Sequence, residues 1–253
     1  MKDNRINEMK DYIEEMGTVS MEALCAKFKV SMTTVRRDIN ELLGGGEIEK
    51  VYGGVRKKAR VNLIEFKVRE VSNIEAKTSI GRMTAELLYD QDIIYIDSGT
   101  TTAAVIDYLS DKSVTIVTSS LEVIEKAVEY ENIKLICLTG IYNKATNSFA
   151  GMDTPGSLNK YNITKALMAA SGVTIESGLT HASPWEYEIK TAAVEKADEV
   201  ILMVDHTKFD TVTLVTYCSL NHIDKVVTDV RPADKFVRFF AEHGIELKVS
   251  NEG

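Results

Sequence analysis

Cysteine, histidine and long apolar runs are all scarce in this chain, and each shortage closes a route. The three cysteines of the 253 residues, Cys25, Cys137 and Cys218, stand far apart among apolar neighbours. Buried thiols are therefore expected, not a disulfide framework or a thiolate metal site. The four histidines, His181, His206, His222 and His243, repeat no ligand spacing, so neither a metal nor another cofactor is expected. No run of about 18 apolar residues occurs, and Met1-Lys-Asp-Asn-Arg5 lacks the apolar stretch of a signal sequence. The expectation is a cytoplasmic protein, neither secreted nor membrane-bound.

Positive charge is short overall, with a formal net charge of -8, but the deficit is uneven. Residues 1 to 60 hold 12 Lys+Arg against 10 Asp+Glu, whereas the remainder holds 18 against 28. Only the N-terminal part is suited to approach a polyanion. The length fits two domains, and hydrophobic and charged shares of 44% and 27% are those of a globular chain with material for a core in each.

The most informative stretch is Val30 to Leu43. Val35, Ile39 and Leu42 recur at helical spacing and predict one apolar side, Ser31 caps the start, and Thr33, Thr34, Arg36 and Arg37 crowd the opposite side. Upstream, Ser20 to Phe28 reads as a shorter helix burying Leu24 and Phe28, joined to the first by Lys29-Val30-Ser31. Two helices with so tight a turn predict a helix-turn-helix, at about residues 20 to 39, whose second helix enters the major groove. Lys27 to Arg37 contains four cations and no acid, which favours this over a helical hairpin with a solvated face. A preceding helix over Arg5 to Met16 presents Ile6, Met9 and Ile13, and the glycine-flanked run from Gly44 to Val55 suggests a β-ribbon. Together these predict a winged helix over residues 1–57. The basic tract Arg56-Lys-Lys-Ala-Arg60 follows, able to add non-specific phosphate contacts.

Residues 58–72 read as a linker and 73–253 as a second domain. There, helical stretches from Ser72 to Leu88, Thr102 to Leu109 and Leu121 to Val128 alternate with strands at 93–97, 114–118 and 133–138. Further strands are expected at 165–170, 200–204 and 225–228, with helices over Glu186 to Ala197 and Pro232 to His243. This βαβ alternation predicts an α/β fold with a doubly wound, mostly parallel sheet. Asp97-Ser-Gly-Thr-Thr-Thr102 lies where the first of these strands hands over to a helix, and Thr118-Ser-Ser120 ends the next. Ligands bind parallel sheets at the carboxyl ends of strands, and N–H groups and hydroxyls there suit a phosphate. Trp185 is expected to be half-buried in packing, with a sugar-lining role as the alternative.

Val30-Ser-Met-Thr-Thr-Val-Arg-Arg-Asp38 and Gly53-Gly54 resemble the DNA-binding domain of the DeoR family of bacterial transcription regulators. Phe66, Arg69, Glu75 and Lys77 match the start of that family's second domain. The Asp97 to Thr102 loop, Glu176-Ser-Gly-Leu-Thr180 and Asp205-His-Thr-Lys-Phe209 resemble its sensor domain, which is related in fold to ribose-5-phosphate isomerase. The chain departs from the family at Lys50 and Tyr52 in the wing, and at Thr139, His206 and Thr207 in the sensor.

The resemblance implies a regulator, with repression of sugar catabolism or transport genes as the expectation, that binds operator DNA and senses a phosphorylated sugar. The candidate DNA-binding residues are Ser31, Thr33, Thr34, Arg36, Arg37 and Lys50. The candidate effector-binding residues are Asp97, Gly99, Thr100, Thr101, Thr102, Ser119, Ser120 and Lys208. A homodimer or homotetramer is expected, because one short recognition helix reads few base pairs. Two other readings remain open: a sugar-phosphate isomerase with Asp97 or Asp205 as base, and a winged helix that binds protein.

Overall fold

The computed structural model describes residues 2–44, 48–51, 54–57, 65–151 and 154–250, and the chain divides into two compact units, Met1–Arg60 and Val61–Gly253. The first unit runs α1 (Lys2–Met16), β1 (Thr18–Ser20), α2 (Met21–Phe28), α3 (Met32–Gly44), β2 (Ile48–Val51) and β3 (Gly54–Lys57). Ile6, Met9 and Ile13 of α1 meet Leu24 of α2 and Val35, Ile39 and Leu42 of α3, with Val19, Ile48 and Val55 from the strands. Phe28, expected inside, is only partly buried and packs edge-on to Tyr12 with ring centroids 6.0 Å apart.

Local chemistry sets the helix ends. The Ser20 hydroxyl accepts from the Ala23 amide at 3.1 Å, and Lys29 takes a left-handed conformation that closes α2. The ribbon gains a third antiparallel strand that hydropathy does not reveal: the order is β1-β3-β2, with Val19 opposite Val55. That pairing explains Gly54, where any Cβ would lie 2.3 Å from the Val19 carbonyl oxygen. Tyr52, Gly53 and the basic tract from 58 to 60 lie outside the described residues.

The second unit begins with α4 (Phe66–Glu70), α5 (Ile74–Ala85), β4 (Ile93–Ile96), α6 (Thr100–Ala103), β5 (Val114–Thr118), α7 (Leu121–Ala127) and β6 (Ile133–Cys137). It continues with β7 (Ile141–Asn143), β8 (Ser148–Ala150), α8 (Thr154–Leu158), β9 (Lys165–Met168), β10 (Gly172–Thr174), β11 (Gly178–His181) and α9 (Tyr187–Lys196). It ends with β12 (Glu199–Met203), β13 (Val215–Cys218), β14 (Lys225–Thr228), α10 (Asp234–Glu242) and β15 (Glu246–Val249). Of the stretch expected as linker, residues 66–70 form α4, whose Phe66 is buried in this unit.

Among the described residues the main sheet has seven strands in the order β15-β14-β12-β9-β4-β5-β6, every pair parallel. The strands alternate faces: Ile94 and Ile96 join Ile80, Val105, Ile106 and Val123 on one side, while Tyr95 joins Ile189, Ala193, Phe236 and Phe240 on the other. Both faces are thus covered, as a doubly wound parallel sheet requires. The predicted strands are present; β15 and the antiparallel sheet β10-β11-β13 are additions.

The helix expected over Thr102 to Leu109 is instead α6 followed by a separate turn of 3-10 helix at Ile106–Tyr108. Burial of the thiols holds only for Cys218; Cys25 is half-buried, and Cys137 is exposed near the end of β6, an edge strand of the sheet. All three are free. Trp185 is 68% exposed and neither packs inward nor borders the cavity described below.

Candidate functional site

In the first unit the apolar side of α3 fixes which way its polar side faces. Val35 and Ile39 are sunk in the core, and Asp38, fully buried, accepts from Arg5 Nε at 2.9 Å and lies 2.8 Å from Arg5 Nη2, tying α3 to α1. Thr33, Arg36 and Arg37 consequently face solvent, with Thr34 part-buried. Ser31 is occupied as a cap: its hydroxyl accepts from the Thr34 amide at 3.3 Å and lies 3.0 Å from the Thr34 hydroxyl. Lys50 is exposed on β2 and shares a notch with Arg36 and Asn40, a side chain that sequence patterning did not single out. Cations, hydroxyls and an amide along one convex helix form a surface suited to phosphates and base edges.

In the second unit the strand order reverses between β4 and β9, because β5 and β6 add on one side of β4 while β9, β12, β14 and β15 add on the other. A crevice forms at such a switch point. A cavity of about 130 Å³ lies there, bordered by Gly99, Thr100 and Thr101 after β4, Ala169, Ala170 and Ser171 after β9, and Asp205 and Lys208 after β12. Ala182 completes that side, and the opposite wall comes from α4 and α5: Val68, Arg69, Ser72, Asn73 and Lys77. Gly99 is needed where the loop crosses β9, since a Cβ there would come within 2.3 Å of the Ala169 Cβ.

Three cationic side chains surround this space. Lys208 Nζ lies 3.4 Å from Asp205 Oδ2 and donates to the Thr207 hydroxyl at 2.9 Å. Burial pushes the Asp205 carboxyl up, but the Lys208 charge and bonds from Thr207 outweigh it and hold the group below its ordinary value. Burial lowers both Lys77 and Arg69, partly opposed by nearby acids: Asp205 for Lys77, Glu186 and Asp97 for Arg69. An incoming anion would stabilise the charged form of each cation.

Four of the expected effector-binding residues do not border the cavity. Asp97 is 1% exposed, paired with the equally buried Lys190, and accepts from the Ala169 amide at 3.0 Å. The Thr102 hydroxyl turns back to donate to the carbonyls of Asp97 at 2.7 Å and Gly99 at 2.8 Å. The Ser120 hydroxyl caps α7 by accepting from Val123, and the Ser119 carbonyl accepts from Phe149. These residues build the loop's support: a short helix start exposes alternate side chains to either side, and the inward ones bond their own backbone. His206 is likewise anchored elsewhere, its amide donating to Asp229 at 2.7 Å.

Behind the loop, Glu186 is 2% exposed and accepts from Ser98 and, at 2.9 Å, from Ser148; its other oxygen lies 3.2 Å from His181 Nε2. Burial, the largest influence on His181, lowers its pKa and so favours the neutral ring. No group of three or more possible metal ligands occurs among the described residues, and no described helix is long and apolar enough to cross a membrane.

The model of the DeoR-like helix-turn-helix domain matches residues 5–60, and that of the DeoR C terminal sensor domain matches residues 72–230. The chain belongs to the DeoR family. It is 44% identical over 251 residues, 99% of this chain and 100% of the relative, to the HTH-type transcriptional regulator IolR of Bacillus subtilis. It is 27% identical over 252 residues, 99% of this chain and 97% of the relative, to the HTH-type transcriptional repressor GlcR of the same organism. To the glycerol-3-phosphate regulon repressor of Escherichia coli it is 28% identical over 246 residues, 97% of this chain and 98% of that one.

Among solved structures, ribose 5-phosphate isomerase A of Methanocaldococcus jannaschii matches with a TM-score of 0.41 at 21% identity, over 55% of each chain. The delta subunit of eIF2B from Chaetomium thermophilum matches at 0.43 and 15% identity, over 63% of this chain and 57% of that one. This DeoR-family member is a transcriptional regulator with a DNA-binding helix-turn-helix, and its three sequence relatives named above carry regulator or repressor names.

Proposed function

We propose that this DeoR-family regulator is a cytoplasmic repressor of sugar catabolism or transport genes whose grip on operator DNA changes when a phosphorylated sugar enters the switch-point cavity. Thr33, Thr34, Arg36, Arg37 and Lys50 contact the DNA, and Ser31 sets the start of the reading helix. The phosphate meets the Gly99 backbone, the Thr100 and Thr101 hydroxyls and Lys208, with Lys77 and Arg69 supplying further positive charge. Residues 1–57 act as the DNA-binding domain, 58–72 as the connector and 73–253 as the sensor, and the protein works as a homodimer or homotetramer on paired half-sites.

The observation that carries this reading is the convergence of three strand ends on a space bordered by two threonines and three cationic side chains. Coupling between the sites must be reciprocal and of the usual size, about 1–3 kcal/mol. The test is a titration of operator DNA with wild type and Thr100→Asp, each with and without a panel of sugar phosphates. The variant places a carboxylate in the anion's position, so it should bind operator and ignore every compound. If no compound moves the wild-type curve, or the variant responds as wild type does, the effector site is wrong.

A further inference from the structure

Described contacts hold both ends of α4, which walls the cavity, and one of them faces the proposed ligand. Phe66 anchors the helix by its buried ring and by its amide, which donates to the Ala145 carbonyl at 3.1 Å. At the other end Lys77, 7% exposed on α5, reaches across and donates through Nζ to the carbonyl of Arg69 and, at 3.5 Å, to that of Glu70. The Arg69 carbonyl also accepts from the Ser72 amide at 3.2 Å, and a cation on the last carbonyls of a helix complements its dipole. The acids that bear on Lys77, Asp205 and Glu122, act on it through space, and its hydrogen bonds among the described residues go to these carbonyls. The same ammonium borders the cavity.

The cavity, at about 130 Å³, lies below the ~300–1,000 Å³ of sites that enclose a drug-sized ligand, so outward movement of a wall would make more room for a sugar phosphate. Val68, on the helix's cavity wall, is 54% exposed, and Val71 just beyond is 68% exposed, so little apolar burial opposes that movement. In the chain, α4 is also the first described element after residues 58–64, which lead from the DNA-binding unit.

We propose that Lys77 is a positioning residue that couples cavity to connector: a phosphate in the cavity draws its ammonium off the Arg69 and Glu70 carbonyls and frees the C-terminal end of α4. This rests on the effector site proposed above and adds the route by which occupancy leaves it. A phosphate oxygen is the stronger acceptor for an ammonium than a carbonyl, so the exchange of partners favours the ligand.

Hydrogen–deuterium exchange on the full chain tests this, with inorganic phosphate as probe and sodium chloride at equal ionic strength as control. In wild type, phosphate should slow exchange across Ser98 to Thr102 and speed it roughly ten-fold at the amides of Val68, Arg69 and Ser72, the loss of one charge-assisted bond. Lys77→Met, which keeps the length and removes the donors, should show fast α4 exchange without phosphate and no further rise with it, while β4 and β5 exchange as in wild type. Lys77→Arg should restore the phosphate response. Protection of the loop with α4 unchanged or slowed in wild type overturns the coupling and leaves the site standing. Absence of any change at the loop removes the site and the coupling together. Wild-type-like α4 exchange in Lys77→Met also overturns it, and the wild-type measurement alone decides if that variant does not fold.

Discussion

Replacing Lys190 by methionine isolates the most deeply buried charge pair of the sensor unit. The Lys190 ammonium and Asp97 carboxylate are each 1% exposed, so solvent cannot screen whichever charge is left. Methionine fills the aliphatic path of the lysine but leaves the Asp97 carboxyl without its buried cation, beside the Ala169 amide at 3.0 Å. Removing one partner of a buried pair costs about 3–5 kcal/mol, mostly the penalty of the stranded charge. With a urea slope of about 2–3 kcal/mol per molar, the midpoint of the larger unit should fall by roughly 1–2.5 M. Asp97→Asn combined with Lys190→Met leaves no charge to strand, so the double variant should be more stable than Lys190→Met alone. The coupling should be about 2 kcal/mol, within the range of residues in contact. Far-UV circular dichroism is the suitable probe, because Trp185, the one tryptophan, is 68% exposed and reports poorly on folding. If Lys190→Met lies within ~1 kcal/mol of wild type, or the double variant is no more stable than it, the reasoning fails.

Arg36→Ala or Arg37→Ala should weaken operator binding by about 1–3 kcal/mol; a base-reading arginine relaxes preference at one base pair, whereas a phosphate contact weakens all sequences alike. Gel-shift titrations in which both variants match wild type would remove α3 as the reading helix. Gly54→Ala should disrupt the β1–β3 pairing, since the new methyl meets the Val19 carbonyl, and calorimetry should show the smaller unit melting earlier with the larger unchanged. Burial raises Glu122 from 4.5 to about 7, so the folded state holds its proton after the unfolded state has lost it. The Glu122 contribution to stability should therefore fall by roughly 2–3 kcal/mol as pH rises from about 4.5 to 7 and then level off. Glu122→Gln should flatten that slope in denaturation curves; an unchanged slope would clear Glu122 of the effect.

Periodicity made the three N-terminal helices and most of the parallel strands legible because each buries one face or both along its whole length. It missed β1, a strand of three residues with only Val19 buried, and β15, whose Glu246 and Lys248 dilute the apolar signal at a sheet edge. The grouping of Thr100, Thr101 and Lys208 beside one cavity could be anticipated because each sits in a short motif at a strand end. The same motifs also drew in Asp97 and Thr102, whose inward orientation depends on Lys190 and on the loop's own carbonyls. Arg69 and Lys77 stood out only through family resemblance. Their place beside the cavity comes from helices packed across strand ends, which no local pattern records.

The switch point has a consequence for the order in which the molecule comes into being. In the first unit the widest strand pairing among the described residues sets Thr18 opposite Arg56, 38 residues along the chain. The cavity requires Ile94 beside Lys165, a closure across 71 residues of chain. Long closures are slow, and an N-terminal domain emerges first during synthesis. The smaller unit should therefore be complete before the larger one, an interval that pulse-labelled exchange during refolding would time.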